Sequence, residues 1–202
     1  SDMCRSLSLC SEFLHFVGKL RGVEDLDTKV EHWMDWFGLQ EKRDTMCKDL
    51  SKGQRQKVML ASAFIHEPKL LFLDEPFANL DPIYQRKCRQ WLLDMVANGG
   101  TIFLCSHVLE MAERMCNRMA IINHGKVLAA GTVKGLKESD EDIMKSKIML
   151  AFLTVSARDK TLRVNEFNFA LLDSGCGKSF ITKGRWRKLK KTLKAALGDK
   201  FR

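Results

Sequence analysis

Leu70-Leu71-Phe72-Leu73-Asp74-Glu75-Pro76-Phe77-Ala78-Asn79-Leu80-Asp81 is the stretch on which the reading of this chain turns. Four apolar residues run straight into two adjacent carboxylates and a proline. So short a run does not suit a buried helix and does suit a buried parallel strand. The acids then stand at the carboxyl edge of that strand, the edge at which open α/β sheets bind ligands. Side by side, Asp74 and Glu75 repel each other unless a cation stands between them. A Mg²⁺ held by one acid, with a water activated by the other, resolves the repulsion. The competing reading is a helix N-cap following a strand, and the acid pair taken alone fits both.

The surroundings separate the two. Upstream lies Leu50-Ser51-Lys52-Gly53-Gln54, just downstream Ala78-Asn79-Leu80-Asp81, and a second apolar strand, Thr101 to Cys105, ends in Ser106-His107. In this order and spacing the four elements resemble the ATP-binding cassette (ABC) ATPases. LSKGQ looks like the family's signature loop, LLFLDE like its Walker B strand with the catalytic glutamate, ANLD like its D-loop, and His107 like its switch histidine. The resemblance covers about Ser11 to Thr132. Lys52 stands where the commonest signature has glycine.

The resemblance implies ATP and Mg²⁺ as cofactors. It makes Asp74 the metal ligand, acting through water, Glu75 the general base for the attacking water, and His107 a hydrogen-bond partner of the γ-phosphate. It places Leu50, Ser51, Lys52, Gly53 and Gln54, with Asp81 of the D-loop, among the nucleotide-binding residues. Ser51 and Gly53 would reach ATP bound to an opposing subunit. The implied partners are a second nucleotide-binding subunit and a transmembrane permease, and the implied location is the cytoplasmic face of a membrane. Physical chemistry suits the signature role. Ser51 opens a helix, Gln54 completes a capping box, and the helix start offers amide groups and a positive dipole end to an anion. Gly53 lets a phosphate approach the backbone. The plain alternative is a well-capped helix and nothing more.

Composition bounds the rest. The chain has 202 residues, 45% of them apolar, enough for one domain and a small second one. No apolar run reaches the ~18 residues of a membrane span. No signal peptide is visible, though the chain begins at Ser1 without a methionine. Seven cysteines are scattered without a CxxC pair, which reads as reduced thiols of a cytosolic protein. The net charge is +9, but Lys183 to Arg202 holds nine basic residues against one acid, a net +8. Nucleic-acid binding would rest on that tail alone, and is disfavoured.

Taken in order, a helix from Ser8 to Leu20 is expected to bury Leu9, Phe13, Phe16, Val17 and Leu20. A second, capped by Asp27, turns Val30, Met34 and Phe37 inward and stops at Gly38. His15 and His32 lack metal-ligand spacing and read as surface or packing residues. The third helix, from Ser51, buries Val58, Ala61 and Ile65 and is broken by His66-Glu67-Pro68. Asp81-Pro82 starts a fourth, burying Cys88, Trp91, Leu92 and Met95. Another helix follows His107, burying Val108, Met111, Ala112 and Met115. Met119 to Ile122 and Val127 to Ala130 read as a hairpin.

The fold class expected is α/β: the C-terminal part of a P-loop NTPase nucleotide-binding domain of the ABC type, with a parallel sheet and a helical subdomain, plus a small α+β appendage. Residues 1–136 form the partial nucleotide-binding domain, with the helical subdomain at about 8–66 and the Walker B, D-loop and switch core at about 67–136. Residues 137–147 are a linker. Residues 148–202 are the appendage, holding a strand at Ile148 to Val155, a hairpin from Phe167 to Thr182 and a basic helix from Arg185 to Leu197. The sequence contains no GxxxxGK[ST] and no glutamine loop. The expectation is an N-terminally truncated cassette that binds ATP weakly and does not hydrolyse it alone. Gly175-Cys176-Gly177-Lys178-Ser179 has the tail of such a loop, but Leu172 stands where its first glycine belongs, and a hairpin turn is the favoured reading over a permuted cassette. Three functions are carried: an ATPase subunit of a membrane transporter, a non-catalytic remnant that docks on a complete ATPase, and a lobe of a chromosome-maintenance or DNA-repair ATPase. The last is disfavoured because no long heptad segment precedes the motifs.

Overall fold

A computed structural model describes residues 9–106, 108, 114–123, 126–132, 134–136, 149–154 and 169–173. Helix α1, Cys10–Leu20, and α2, Leu26–Trp36, pack against each other. They meet so closely that a Cβ on Gly18 would collide with Leu26. Helix α3, Lys52–Phe64, follows two short 3₁₀ turns and leads into strand β1, Leu70–Asp74. Helix α4, Pro82–Ala97, returns the chain to β2, Thr101–Ser106. Strands β3, Arg118–Asn123, and β4, Lys126–Thr132, form an antiparallel hairpin. Strands β5, Met149–Thr154, and β6, Phe169–Asp173, complete a six-stranded sheet in the order β4-β3-β5-β2-β1-β6.

Strand β1 is parallel to both neighbours, with Leu70 opposite Thr101 on β2 and Phe169 on β6. Its first four residues are all buried, as a strand covered on both faces requires. Leu71, Leu73, Ile102 and Leu104 belong to the main core with the helices, while Phe72 and Phe103 stack at 4.8 Å on the other face. The helices lock together through rings. Phe64 of α3 stacks on Trp91 of α4 at 4.0 Å, and Trp33 of α2 meets both edge-on or tilted.

Several expectations change. The face of α1 is turned: Cys10, Phe13 and Leu14 are buried, while Phe16 is 42% and Leu20 66% exposed. The buried set follows i, i+3, i+4, and Phe16 and Leu20 lie off that stripe. The N-cap of α2 is Asp25, in a left-handed conformation, rather than Asp27. The Asp27 carboxylate instead meets His15 Nε2 at 2.9 Å. On sequence, β5 and β6 belong to a separate C-terminal unit. Their hydrogen bonds run to β2 and β3, and to β1, respectively. The apolar run of β6 finds its partner in the apolar run of β1, and local patterning cannot distinguish that parallel pairing from a hairpin. The expected linker at 137–147, the strand expected at 180–182, the expected basic helix and most of the helix expected after His107 lie outside the described residues.

Candidate functional site

The site is built at the carboxyl edge of β1. Asp74 is the last residue of the strand and stands in register with Cys105 on β2 and Asp173 on β6. The chain then turns sharply. Glu75 has φ +44°, in the left-handed region that a side chain rarely adopts. Its amide donates to the Cys105 carbonyl at 2.9 Å, and its carboxylate Oε2 accepts from the hydroxyl of Ser106 at 3.2 Å. Ser106 is itself buried and accepts from the Val108 amide at 3.1 Å. The acid is thus fixed at main chain and side chain by the end of the neighbouring strand.

From Pro76 to Asp81 the chain forms a turn stitched by its own amides, Ala78 donating to Glu75 and Leu80 to Phe77. Side-chain amides hold the outward carbonyls. Gln56 Nε2 donates to Pro76 at 2.9 Å, and Gln85 Nε2 donates to Phe77 at 3.3 Å and to Leu80 at 2.9 Å. Asp81 caps α4, accepting from the amides of Ile83 and Tyr84, both at 3.1 Å. Lys57 closes the corner: its ammonium lies 3.4 Å from the Asp81 carboxylate and 3.3 Å from the centre of the Tyr84 ring. Desolvation alone would raise the Asp81 carboxyl, but the Tyr84 amide, Lys57 and the Ile83 amide outweigh it and hold the group below its ordinary value.

Helix α3 begins against this turn. Ser51 Oγ accepts from the Gln54 amide at 3.2 Å, and the Ser51 amide donates to Gln54 Oε1 at 2.9 Å, the expected capping box. Ser51 and Lys52 are exposed. A Cβ on Gly53 would stand 2.7 Å from the carbonyl oxygen of Asn79, so glycine is what lets the helix start and the acid turn touch. Leu50 is buried beneath them.

The structure therefore brings together Asp74, Glu75 and Asp81 on one side and the Ser51–Gln54 helix start on the other, joined by Gly53. His107 lies outside the described residues. Ser106, Gln56, Lys57 and Gln85 carry contacts that patterning did not single out. Ser106 offered a signal, a polar residue closing an apolar strand. The others sit among many exposed-looking polar residues of α3 and α4. His15 and His32 take no part, His15 being held by the Ser11 carbonyl and Asp27.

Residues 3–78 match the ABC transporter family. The chain is similar to ATP-binding proteins of the ABC transporter family. It is 32% identical, over 70% of its length and 52% of the relative's, to an uncharacterised ABC transporter ATP-binding protein of Methanocaldococcus jannaschii. It is 39% identical to a methionine import ATP-binding protein of Listeria monocytogenes, over 57% of this chain and 35% of that one. A Nod factor export ATP-binding protein of Rhizobium leguminosarum is 35% identical over 56% of this chain and 37% of its own. A solved ATP-binding subunit of an ABC transporter superposes with a TM-score of 0.61 at 28% identity, covering 71% of this chain and 61% of that one. The chain spans about half the length of the curated relatives it matches, 48% and 52% for two of them. The α/β cassette fold accords with the sheet and helices described.

The donor set suits the family's cofactors. Among the described residues no cluster of three His, Cys, Asp or Glu forms a closed metal cage. Magnesium does not need one: it keeps several waters and is held by one or two carboxylates plus substrate phosphates. Asp74, half-buried at the carboxyl edge of β1, is a carboxylate of that kind. Among the described residues no helix is long and apolar enough to cross a membrane.

Proposed function

We propose that this chain serves as part of an ATP-binding subunit that couples ATP hydrolysis to transport across a membrane. It would work with a permease and a second nucleotide-binding subunit on the cytoplasmic face. Asp74 would hold magnesium through water, and Glu75 would take the proton of the attacking water on its carboxylate. Ser51 and Gly53 present the start of α3 to the γ-phosphate of ATP held by the opposing subunit, and Asp81 orders the turn beside it. His107 would hydrogen-bond the γ-phosphate. Held there, magnesium would supply neutralisation of the phosphate charge. The observation that carries this reading is the fixing of Glu75 by the Cys105 carbonyl and the Ser106 hydroxyl, next to a helix start that touches the same turn.

A second reading has its own support. The 202 residues contain no GxxxxGK[ST], so this stretch lends a signature loop to another subunit's nucleotide more readily than it holds its own. The two are separated by hydrolysis measured with the chain alone and mixed with a complete ATP-binding subunit. The expectation is no turnover alone and stimulation on mixing, lost in Gly53→Ala. In an assembly that loads this chain's own acid pair, Glu75→Gln should lower turnover by about 10²–10⁴-fold, the worth of a positioned base. Turnover by the chain alone that Glu75→Gln abolishes would refute the docking reading. Turnover indifferent to both substitutions would refute the assignment of the site.

A further inference from the structure

Glu75 and Asn79 both hold positive φ, +44° and +61°, within one five-residue turn. Non-glycine residues keep such conformations only where the surroundings over-determine them. The surroundings here are specific. Residues 53, 56 and 57 share one face of α3, and all three touch the turn: Gly53 against the Asn79 carbonyl, Gln56 on the Pro76 carbonyl, Lys57 on the Asp81 carboxylate. Of these, Gln56 is the one buried polar side chain, 7% exposed, and its bond ends on the residue immediately after Glu75. A buried carboxamide is costly unless it is bonded, so its aim at a single carbonyl is a constraint on both partners.

We infer that Gln56 is a positioning residue, whose bond to the Pro76 carbonyl holds Glu75 in its left-handed conformation and makes the start of α3 and the acid turn move as one piece. Displacement at the Ser51 end would then be felt at Glu75 without any change in the sheet. Ser106 fixes the carboxylate from the strand side, and Gln56 fixes the main chain from the helix side. The functional meaning rests on Glu75 as the base, whereas the clamp itself can be tested with no nucleotide present.

Residue-resolved amide exchange on the whole chain is the test, comparing the native sequence with Gln56→Met, which keeps the bulk and loses the donor, and Gln56→Glu. In Gln56→Met the amides of Ala78 and Leu80, which close the turn, should lose protection by about tenfold or more, with Leu71 to Leu73 of β1 unchanged. Gln56→Glu should behave like Gln56→Met near pH 7, where a carboxylate cannot donate, and regain protection at Ala78 and Leu80 near pH 4, where the protonated acid can. Native protection at Ala78 and Leu80 in both variants would overturn the proposal. If Gln56→Met loosens the whole chain, Gln56→Glu decides: protection at the turn that does not recover relative to β1 on acidification overturns it. A clamp that passes, in an assembly that loads this acid pair and turns over equally with Glu75→Gln, would count against the reading of Glu75, not against Gln56.

Discussion

Two helices of this molecule begin beside the same turn, and they begin in opposite ways. Helix α3 opens on the neutral hydroxyl of Ser51, with exposed Lys52 next and no acid in its first turn. Helix α4 opens on the carboxylate of Asp81, which accepts two amides and pairs with Lys57. Both obey the same local capping rule. At α4 the positive end of the helix is neutralised from within the chain. At α3 the hydroxyl satisfies one amide and adds no charge, so the dipole end still favours an anion from outside. A cap can complete a structure or prepare a site, and the charge on the capping group decides which.

The sharpest way to break this contrast is Gly53→Ala, at the point where the two starts touch. Its Cβ would meet main chain, not a flexible side chain, so repacking should cost about 1–3 kcal/mol in urea unfolding and weaken pyrophosphate binding. Wild-type stability would show that the contact yields. Next in size is a matched pair. Asp81→Ala should lose about 1 kcal/mol of stability and weaken pyrophosphate affinity less than Ser51→Ala, which should lose a similar or smaller amount of stability. Asp81→Ala lowering anion binding as much as Ser51→Ala would erase the distinction.

The smallest effect concerns the far end of α3. Just past the helix, His66 has both ring nitrogens buried with no hydrogen-bond partner among the described residues. Desolvation, with a smaller push from Arg21, lowers its pKa from 6.5 to about 4. The folded state therefore disfavours the imidazolium, so this group's contribution is intact above pH 6.5 and is lost as pH falls from 6.5 toward about 4. Thermal unfolding midpoints should decline across that window, and His66→Leu should flatten the decline. Asp81, with its depressed pKa, acts only lower, below its ordinary 3.8. An unchanged slope in His66→Leu would remove His66 as the cause.

Much of the fold was legible because its signals are local. The capping box of Ser51 and Gln54, the Asp81-Pro82 start, the β3–β4 hairpin and the buried run of β1 are each set by residues a few positions apart. The face of α1 was misread because Phe16 and Leu20 are as apolar as the residues that are buried, and only α2 and α3 decide which stripe is covered. In the same way, the clamp on the acid turn could not be read, since a glutamine on an amphipathic helix looks like any solvated one until its partner is placed.

The order of types along the chain was enough to determine the strand that ends at Asp74 and the capped helix starts, because hydrogen bonds between near neighbours depend on spacing alone. Only the tertiary structure decided that Ser106 meets Glu75, that Gln56 meets Pro76, and that β5 and β6 join the sheet on either side of the β1–β2 pair. Those pairings join residues 20 or more positions apart, and the register that brings them together is chosen by burial and packing over the whole sheet, which no short window of sequence contains.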